Sequence, residues 1–191
     1  MARFLYICSY IMRMKDLVKY FLLVLFLLMT AGCKKVHIVS EGQKIFFQYD
    51  YVNCAWGYQH TGFIINNEGR VLTYNKPEKW NFPGREGLLS QNEVEENLSS
   101  CTISEKEISM NELQKYVNYI DNIAASKVSA PRRRGADRGS AIFYCYQYSE
   151  SNGEYKATVI KMEGDTESEN LNFFSRKVVE WMRTIGGISR K

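Results

Sequence analysis

GFIINNEGRVLTYN, from Gly62 to Asn75, is the stretch of sequence that decides the fold. Two runs rich in β-branched and aromatic residues flank the turn letters NNEG at positions 66–69. Gly69 can adopt the positive φ that a tight connection between antiparallel strands requires. The stretch therefore predicts a β-hairpin, whose first strand extends back to Tyr58.

Three further segments have the composition of β-strands, which is rich in aromatic and β-branched residues. KIFFQYDYVN (44–53) precedes the first hairpin, and AIFYCYQY (141–148) and EYKATVIKM (154–162) flank a polar turn. The last two segments predict a second hairpin. Prolines and glycines interrupt any period in segments 76–87 and 127–140, which we expect to be loops.

Three segments are predicted to form helices, 90–98, 109–126 and 166–185. Each begins with Ser or Thr followed three residues later by Glu, which is the spacing of a capping box. Gly186 and Gly187 are expected to end the last helix. The second and third helices have an apolar face, formed by Leu113, Tyr116, Val117, Ile120, Ile123 and Ala124 and by Leu171, Phe174, Val178, Trp181, Met182 and Ile185.

The order of these elements is hairpin, helix, hairpin, helix, which is typical of an α+β domain. We expect one domain over residues 44–187, with two layers: an antiparallel sheet of two hairpins and two main helices packed on one of its faces. Hydrophobic residues make up 45% of the chain, and 13 Tyr, 10 Phe and 3 Trp supply enough large side chains for a core.

The N-terminal segment has the pattern of an export signal. YFLLVLFLLMTAG (20–32) contains no charged residue. Three basic residues lie immediately before it, namely Arg13, Lys15 and Lys19. A helix of this length spans roughly 20 Å against a hydrocarbon core of about 30 Å, so a secretory signal is favoured over a membrane-spanning helix. Initiation at Met14 instead of Met1 would give a leader of ordinary proportions.

The leader ends in Met29-Thr30-Ala31-Gly32-Cys33, which resembles the lipobox of bacterial lipoproteins. In that family, small residues lead to a cysteine that is acylated, for example with palmitate, and becomes the new N-terminus. The resemblance implies a signal peptide over residues 1–32, a lipid on Cys33 and a tether over residues 33–43. It also implies a membrane partner through that lipid and a cell-envelope location, which we expect to be the periplasmic face of the outer membrane.

Composition narrows the classes of function. Residues 1–32 hold four basic residues and one acidic residue, so their removal lowers the net charge from +4 to +1. This balance lacks the concentrated basic surface of nucleic-acid-binding proteins, and we expect no nucleic-acid partner. The chain contains only two histidines, His37 and His60, and neither CxxC nor HExxH, so we expect no metal and no other cofactor.

His60 begins the phrase HTGFIINNEGRVL, which is similar to the strand that carries the catalytic histidine in NlpC/P60-like cysteine hydrolases, including their permuted and acyltransferase-like relatives. The resemblance implies a later cysteine as the nucleophile, either Cys101 or Cys145. A reactive thiolate, however, needs a helix N-terminus or a cationic neighbour. Cys145 lies in a predicted strand and Cys101 follows a predicted helix, so the residues themselves favour a surface histidine and no catalysis.

Three cysteines remain once Cys33 is assigned to the lipid, namely Cys54, Cys101 and Cys145. In an oxidising compartment we expect one disulfide and one free thiol, with Cys101 bridged to Cys54 or to Cys145. The alternative is that all three are small buried hydrophobic residues.

Two groups of residues are candidates for binding a partner. An arginine cluster suits an anionic partner, such as lipid headgroups or an acidic protein face, unless it only keeps a loop solvated. An aromatic group suits an interface hot spot, unless it belongs to the core. The arginines are Arg132, Arg133, Arg134 and Arg138, and the aromatic residues are Trp56, Tyr58, Trp80 and Phe82.

The sequence thus predicts a lipid-anchored envelope protein that is not an enzyme. We expect it to bind another protein or an envelope ligand, as an inhibitor or an immunity factor does. The alternative is a cysteine hydrolase or acyltransferase that uses His60 and acts on envelope peptides or acyl groups. A third hypothesis is a domain that only supports an assembly.

Overall fold

The computed structural model describes residues 42–189 and the single residue Lys19. Apart from Lys19, the predicted signal peptide lies outside the described residues, as do Cys33, His37 and most of the predicted tether. Residues 42–189 belong to one compact unit. None of the helices in this described part is long and apolar enough to cross a bilayer.

One antiparallel sheet dominates the fold, and the predicted α+β class is confirmed with a larger sheet than two hairpins. The strand order is β5-β3-β2-β1-β7-β8-β9-β6, and β4 also pairs with β8. The strands are β1 (Ile45–Asn53), β2 (Gln59–Asn66), β3 (Arg70–Asn75), β4 (Leu88–Ser90), β5 (Thr102–Glu107), β6 (Arg132–Arg133), β7 (Ser140–Ser149), β8 (Glu154–Gly164) and β9 (Thr166–Glu169).

Both predicted hairpins form. β2 and β3 pair on either side of the Asn66–Gly69 turn, where the amide of Gly69 donates to the carbonyl of Asn66 at 3.2 Å. Gly69 has φ +77°, and a Cβ atom there would collide with the carbonyl oxygen of Ile108, so this position requires glycine. β7 and β8 form the second hairpin. Loop 76–87 contains no strand or helix, as expected.

Four helices complete the described part of the chain. They are α1 (Gln91–Ser99), α2 (Met110–Val117), α3 (Ile120–Ala124) and α4 (Ser175–Gly186). The capping box predicted for α1 is present, because Ser90 and Glu93 hydrogen-bond reciprocally. The single helix predicted over 109–126 is instead divided between α2 and α3. Ile120 and Ile123 are both completely buried, as the apolar face predicted.

The start predicted for the last helix is wrong. Residues 166–169 form β9, which pairs with β8 on one side and β6 on the other. The side chain of Asn170 then accepts hydrogen bonds from the amide of Asn172 at 3.0 Å and the hydroxyl of Ser175 at 2.9 Å, which holds a turn before α4. Leu171, expected in the core, is 64% exposed. Gly187 ends α4 with φ +63°, as expected.

The two faces of the sheet bury different side chains. One face, which we call the helix face, packs against α2, α3 and α4, which confirms that the two main predicted helices lie on one face. Its buried residues include Phe47, Phe63, Ile65, Phe143, Cys145, Leu113, Ile123, Val178 and Met182. The opposite face, which we call the network face after the hydrogen bonds described below, is covered by α1, β4 and loop 76–87. Its buried residues include Ile45, Ile64, Tyr74, Leu89, Val94, Tyr144, Tyr146 and Tyr155.

Candidate functional site

A buried His–Asp pair lies on the network face. β1 and β2 pair so that Asp50 is opposite Gly62 and Val52 is opposite His60. Side chains two residues apart on a strand point to the same face, so Asp50 and His60 lie side by side. The Nε2 atom of His60 is 3.0 Å from Oδ1 of Asp50. His60 is completely buried, so the expectation of a surface histidine is wrong, and Asp50 is 1% exposed.

Asp50 accepts hydrogen bonds from three side chains. His60 and the hydroxyl of Tyr74 both donate to Oδ1, and the amide of Gln48 donates to Oδ2 at 2.7 Å. The hydroxyl of Tyr146 donates to the Gln48 carbonyl oxygen at 2.7 Å, which extends the network to β7. A buried carboxylate is tolerated when donors replace water in this way. Burial first, and then the neighbouring Asp50, raise the pKa of Tyr74 well above its ordinary value, so its hydroxyl stays a donor.

The hydrogen bonds to Asp50 assign the tautomer of His60. Because Nε2 faces a carboxylate oxygen, we assign a proton to Nε2. Nδ1 is buried and has no hydrogen-bond partner among the described residues. The indole N–H of Trp80 is a buried donor that likewise has none in this part of the chain.

Gly62 makes the contact between Tyr74 and Asp50 possible. A Cβ atom at this position would collide with the Tyr74 hydroxyl and with the backbone carbonyl of Tyr49. The glycine in the phrase HTG therefore has a structural reason, which is the close approach of a tyrosine from the neighbouring strand.

Four aromatic rings surround the His60 ring. Their centroids lie 5.1 Å (Tyr74), 5.2 Å (Trp80), 5.0 Å (Phe82) and 6.1 Å (Tyr58) from that of the imidazole. Tyr58 is 48% exposed and Phe82 is 47% exposed, and nearby Trp56 is 83% exposed. We call Trp56, Tyr58, Trp80 and Phe82 the aromatic cluster. The structure brings three of these four predicted residues together on the buried histidine.

Hydrogen bonds at two points hold loop 76–87, which carries Trp80 and Phe82, against the rest of the domain. The amide of Lys76 donates to the His60 carbonyl at 2.7 Å. Asn81 and Asn97 form two hydrogen bonds of 2.8 Å each, one from the Asn81 amide and one from the Asn97 side chain. The loop is therefore tied both to β2 and to α1.

The three cysteines are free thiols, so the expected disulfide is absent. Cys145 lies on the helix face and His60 on the network face, so the sheet separates them and Cys145 cannot act with His60. Cys101 packs against the network face, where its thiol donates to the Asn97 carbonyl at 3.3 Å. Burial is the main reason that the pKa of Cys101 and of Cys145 is raised to about 12. Cys54 is exposed.

The four predicted arginines are exposed on the segment that we call the arginine loop, residues 131–139. Two of them form the short strand β6, where only a loop was expected. Arg134 pairs with Glu167, with 2.7 Å between Nε and Oε2. The arginine loop does not contact His60 through any hydrogen bond or ion pair in the described residues.

Sequence reasoning missed the polar part of the site. Gln48, Asp50, Tyr74 and Tyr146 were not among the candidate residues. The signal for two of them is in IFFQYDYVN, where Gln48 and Asp50 alternate with aromatic residues in a strand that is otherwise apolar. Because successive side chains of a strand point to opposite faces, this alternation predicts that one face of the strand is polar and the other is aromatic.

No protein-family model, curated protein or solved structure matches this chain. Within the described residues, no group of three or more His, Cys, Asp and Glu side chains lies close enough together to hold a metal ion. The candidate site is thus defined by its geometry: three partly exposed rings of the aromatic cluster lie against His60, which belongs to a buried hydrogen-bond network.

Proposed function

We propose that this chain is a lipid-anchored protein of the cell envelope that binds another protein, in the manner of an inhibitor or an immunity factor, and that the aromatic cluster is its contact surface. One observation carries the binding role: Tyr58 and Phe82 are about half exposed, yet both rings lie against the completely buried ring of His60.

Exposed aromatic side chains favour binding when their positions are already fixed. Trp and Tyr contribute a large share of the binding energy at protein interfaces. Ordering a mobile side chain on binding costs about 0.5–1.5 kcal/mol, and a ring already held in place avoids part of this cost. His60, itself fixed by Asp50, and the Asn81–Asn97 pair hold the rings in this way.

Cross-linking tests the binding role. A photo-reactive phenylalanine derivative replaces Trp56 in the full chain, expressed in its own cells. The control places the same residue at Phe173, which is 76% exposed on the helix side of the domain. We expect a discrete protein adduct from position 56 and none from position 173. Adducts of the same pattern from both positions, or no adduct from position 56, would contradict the proposal.

The membrane anchor is supported by the lipobox-like sequence that ends at Cys33. Labelled palmitate should appear on the wild-type protein and be absent from a Cys33→Ser variant, which should also remain unprocessed. Maturation of the variant at the wild-type rate would remove this part of the proposal.

A cysteine hydrolase remains the second candidate, because an Asp50–His60 pair is the arrangement that orients a catalytic histidine. Of the two cysteines that the resemblance implies as nucleophiles, Cys101 remains, and a pKa of about 12 leaves this thiol almost entirely protonated at neutral pH. A maleimide at pH 7 should therefore label Cys54 quickly and Cys101 slowly in the folded protein. Rapid labelling of Cys101 at pH 6 would favour the hydrolase.

A further inference from the structure

A cavity of about 540 Å³ lies on the helix face, between β8, residues 169–172 and α4. Ile160 and Val179 line it, and both belong to the apolar cluster of the helix face. His60 and the aromatic rings around it lie on the opposite face, so this cavity is separate from the site described above. Its volume is in the range of sites that bind small molecules.

Three charged residues of the cavity wall pair with one another. Glu163 accepts from Nζ of Lys161 at 2.7 Å through Oε1 and from Arg183 through Oε2. Because two cations share one carboxylate, this triad keeps one positive charge in excess. Arg183 is 6% exposed, and its Nε is buried without a hydrogen-bond partner among the described residues. A negatively charged group in the cavity would complement the triad.

Two further charged residues line the cavity and form no ion pair within the described part of the chain. They are Arg176, in the first turn of α4, and Glu169, at the end of β9, and both are exposed. Glu169 lies opposite Lys161 in the pairing of β8 with β9, so the two side chains project to the same face. The cavity thus has an available cation on α4 and an available carboxylate on the sheet.

The balance of charge in the wall favours one class of ligand. Three cations and three carboxylates line the cavity, namely Lys161, Arg176, Arg183, Glu163, Glu169 and Glu180. A ligand with charge of only one sign would be repelled by half of these groups. A zwitterion carries both signs and can place each charged end against its complement.

We propose that this cavity binds a zwitterionic ligand, namely a short peptide of about dipeptide size with free ends. Its carboxylate pairs with Arg176, its ammonium pairs with Glu169, and an aliphatic side chain packs on Ile160 and Val179. A cavity of this volume suits a ligand larger than a single amino acid. The proposal goes beyond the protein-binding function and does not depend on it, because the two sites lie on opposite faces of the sheet.

Calorimetric titration tests the ligand class. The full chain, purified in detergent micelles, is titrated with the dipeptide alanyl-leucine and with two capped forms of it. The N-acetyl form lacks the ammonium, and the C-terminal amide lacks the carboxylate. We expect alanyl-leucine to bind one site per chain, and each capped form to bind about tenfold more weakly because one charged hydrogen bond is lost.

Two variants test the assigned residues. Glu169→Gln should weaken binding of alanyl-leucine about tenfold but change binding of the N-acetyl form less than about twofold, because that form has no ammonium to pair. Arg176→Gln should act in the same way on the free carboxylate, with the amide form as its reference. Both side chains are exposed, so the thermal unfolding of the variants, followed by circular dichroism, should match that of the wild type.

The matched controls are Glu86→Gln and Arg85→Gln, which change exposed residues of loop 76–87 on the network face and should alter affinity less than about twofold.

Four results would overturn the proposed cavity site. They are the absence of alanyl-leucine binding below about 10 mM, equal affinity for the three peptides, equal losses from the site and control variants, and a Glu169→Gln loss that is the same for the free and N-acetyl forms. None of them affects cross-linking from position 56, so a failure here is distinguishable from a failure of the proposed function.

Discussion

The two faces of the sheet are made by the same strands and differ in chemistry. In β1, Phe47 and Tyr49 point to the helix face, while Gln48 and Asp50 point to the network face. The helix face buries an almost entirely apolar cluster under three helices. The network face buries a carboxylate, an imidazole, an amide and two tyrosine hydroxyls under one helix and a loop.

We infer from this difference that the helix face mainly stabilises the fold, whereas the network face also fixes the positions of particular side chains. Apolar burial contributes about 25 cal/mol per Å², so the helix face accounts for stability without further explanation. A buried polar network contributes little beyond an apolar core of the same shape, yet breaking it is costly. The polar network on this face is therefore poorly explained by stability alone. The binding function proposed here supplies a reason, because the network fixes the histidine on which the aromatic cluster rests.

The largest expected effect comes from Asp50→Ala. This change leaves the His60 N–H buried without its acceptor, while the Tyr74 hydroxyl keeps only the Tyr49 carbonyl and the Gln48 amide keeps only the Tyr74 hydroxyl, at 3.4 Å, among the described residues. Removing one partner from a buried charged network costs about 3–5 kcal/mol. Urea unfolding followed by circular dichroism should show this loss in the free energy of unfolding.

Asp50→Asn is the matched control for that prediction. The amide keeps one oxygen for His60 and Tyr74, and Gln48 can reverse its own amide because the Tyr146 hydroxyl can accept as well as donate. We expect a loss of about 1–2 kcal/mol. A loss below about 1 kcal/mol for Asp50→Ala would show that the network face does not depend on Asp50 and would remove the contrast between the faces.

The central strands could be predicted because their sequences are rich in the aromatic and β-branched residues that a sheet buries. The NNEG turn and the aromatic β-branched runs around it specify β2 and β3 locally. β5 has the sequence TISEKE, and five of its six residues are exposed, so nothing local distinguishes it from a loop. It becomes a strand only by pairing with β3 at the edge of the sheet. The same is true of β9, whose TESE sequence was predicted as a helix start.

The candidate site was predictable in part for a similar reason. His60 and the aromatic cluster are conspicuous as residue types, and the sequence identified them. Asp50 acquires its role only from the register of β1 against β2, and Tyr146 reaches the network from β7, about 100 positions away in the chain. A single sequence does not fix that register, so the network could not be assembled from it.

A smaller effect on the free energy of unfolding is expected when the N-cap serine of a helix on either face is replaced. Ser90 caps α1 on the network face, where its hydroxyl accepts from the Glu93 amide at 3.3 Å and donates to the Glu93 carboxylate at 2.9 Å. Ser109 caps α2 on the helix face but bonds only the Glu112 amide, at 3.3 Å. Ser90→Ala and Ser109→Ala should each cost about 1 kcal/mol at pH 7.

The pH dependence should distinguish these two variants. Hydrogen bonds from the Ser90 backbone amide and then its hydroxyl lower the pKa of Glu93. A carboxyl whose pKa is lowered on folding stabilises the protein above its ordinary pKa, and this contribution is lost as the pH falls through the lowered value. The deficit of Ser90→Ala should therefore shrink below about pH 4. A deficit that is constant from pH 7 to pH 3 would contradict the reciprocal cap.

The smallest effect on stability is expected from replacing exposed aromatic residues, which are compared here at Trp56 and at Phe173. Trp56 is 83% exposed and Phe173 is 76% exposed, so Trp56→Ala and Phe173→Ala should each change the free energy of unfolding by no more than about 0.5 kcal/mol. Their effects on binding should differ. In a chain with the photo-reactive residue at position 58, Trp56→Ala should lower the adduct yield several-fold, whereas Phe173→Ala should leave it unchanged. A residue that contributes nothing to folding but is required for cross-linking from a neighbouring position acts through the partner. Equal yields from the two variants would mean that exposed aromatic residues at this end of the sheet have no more to do with binding than those on the helix side.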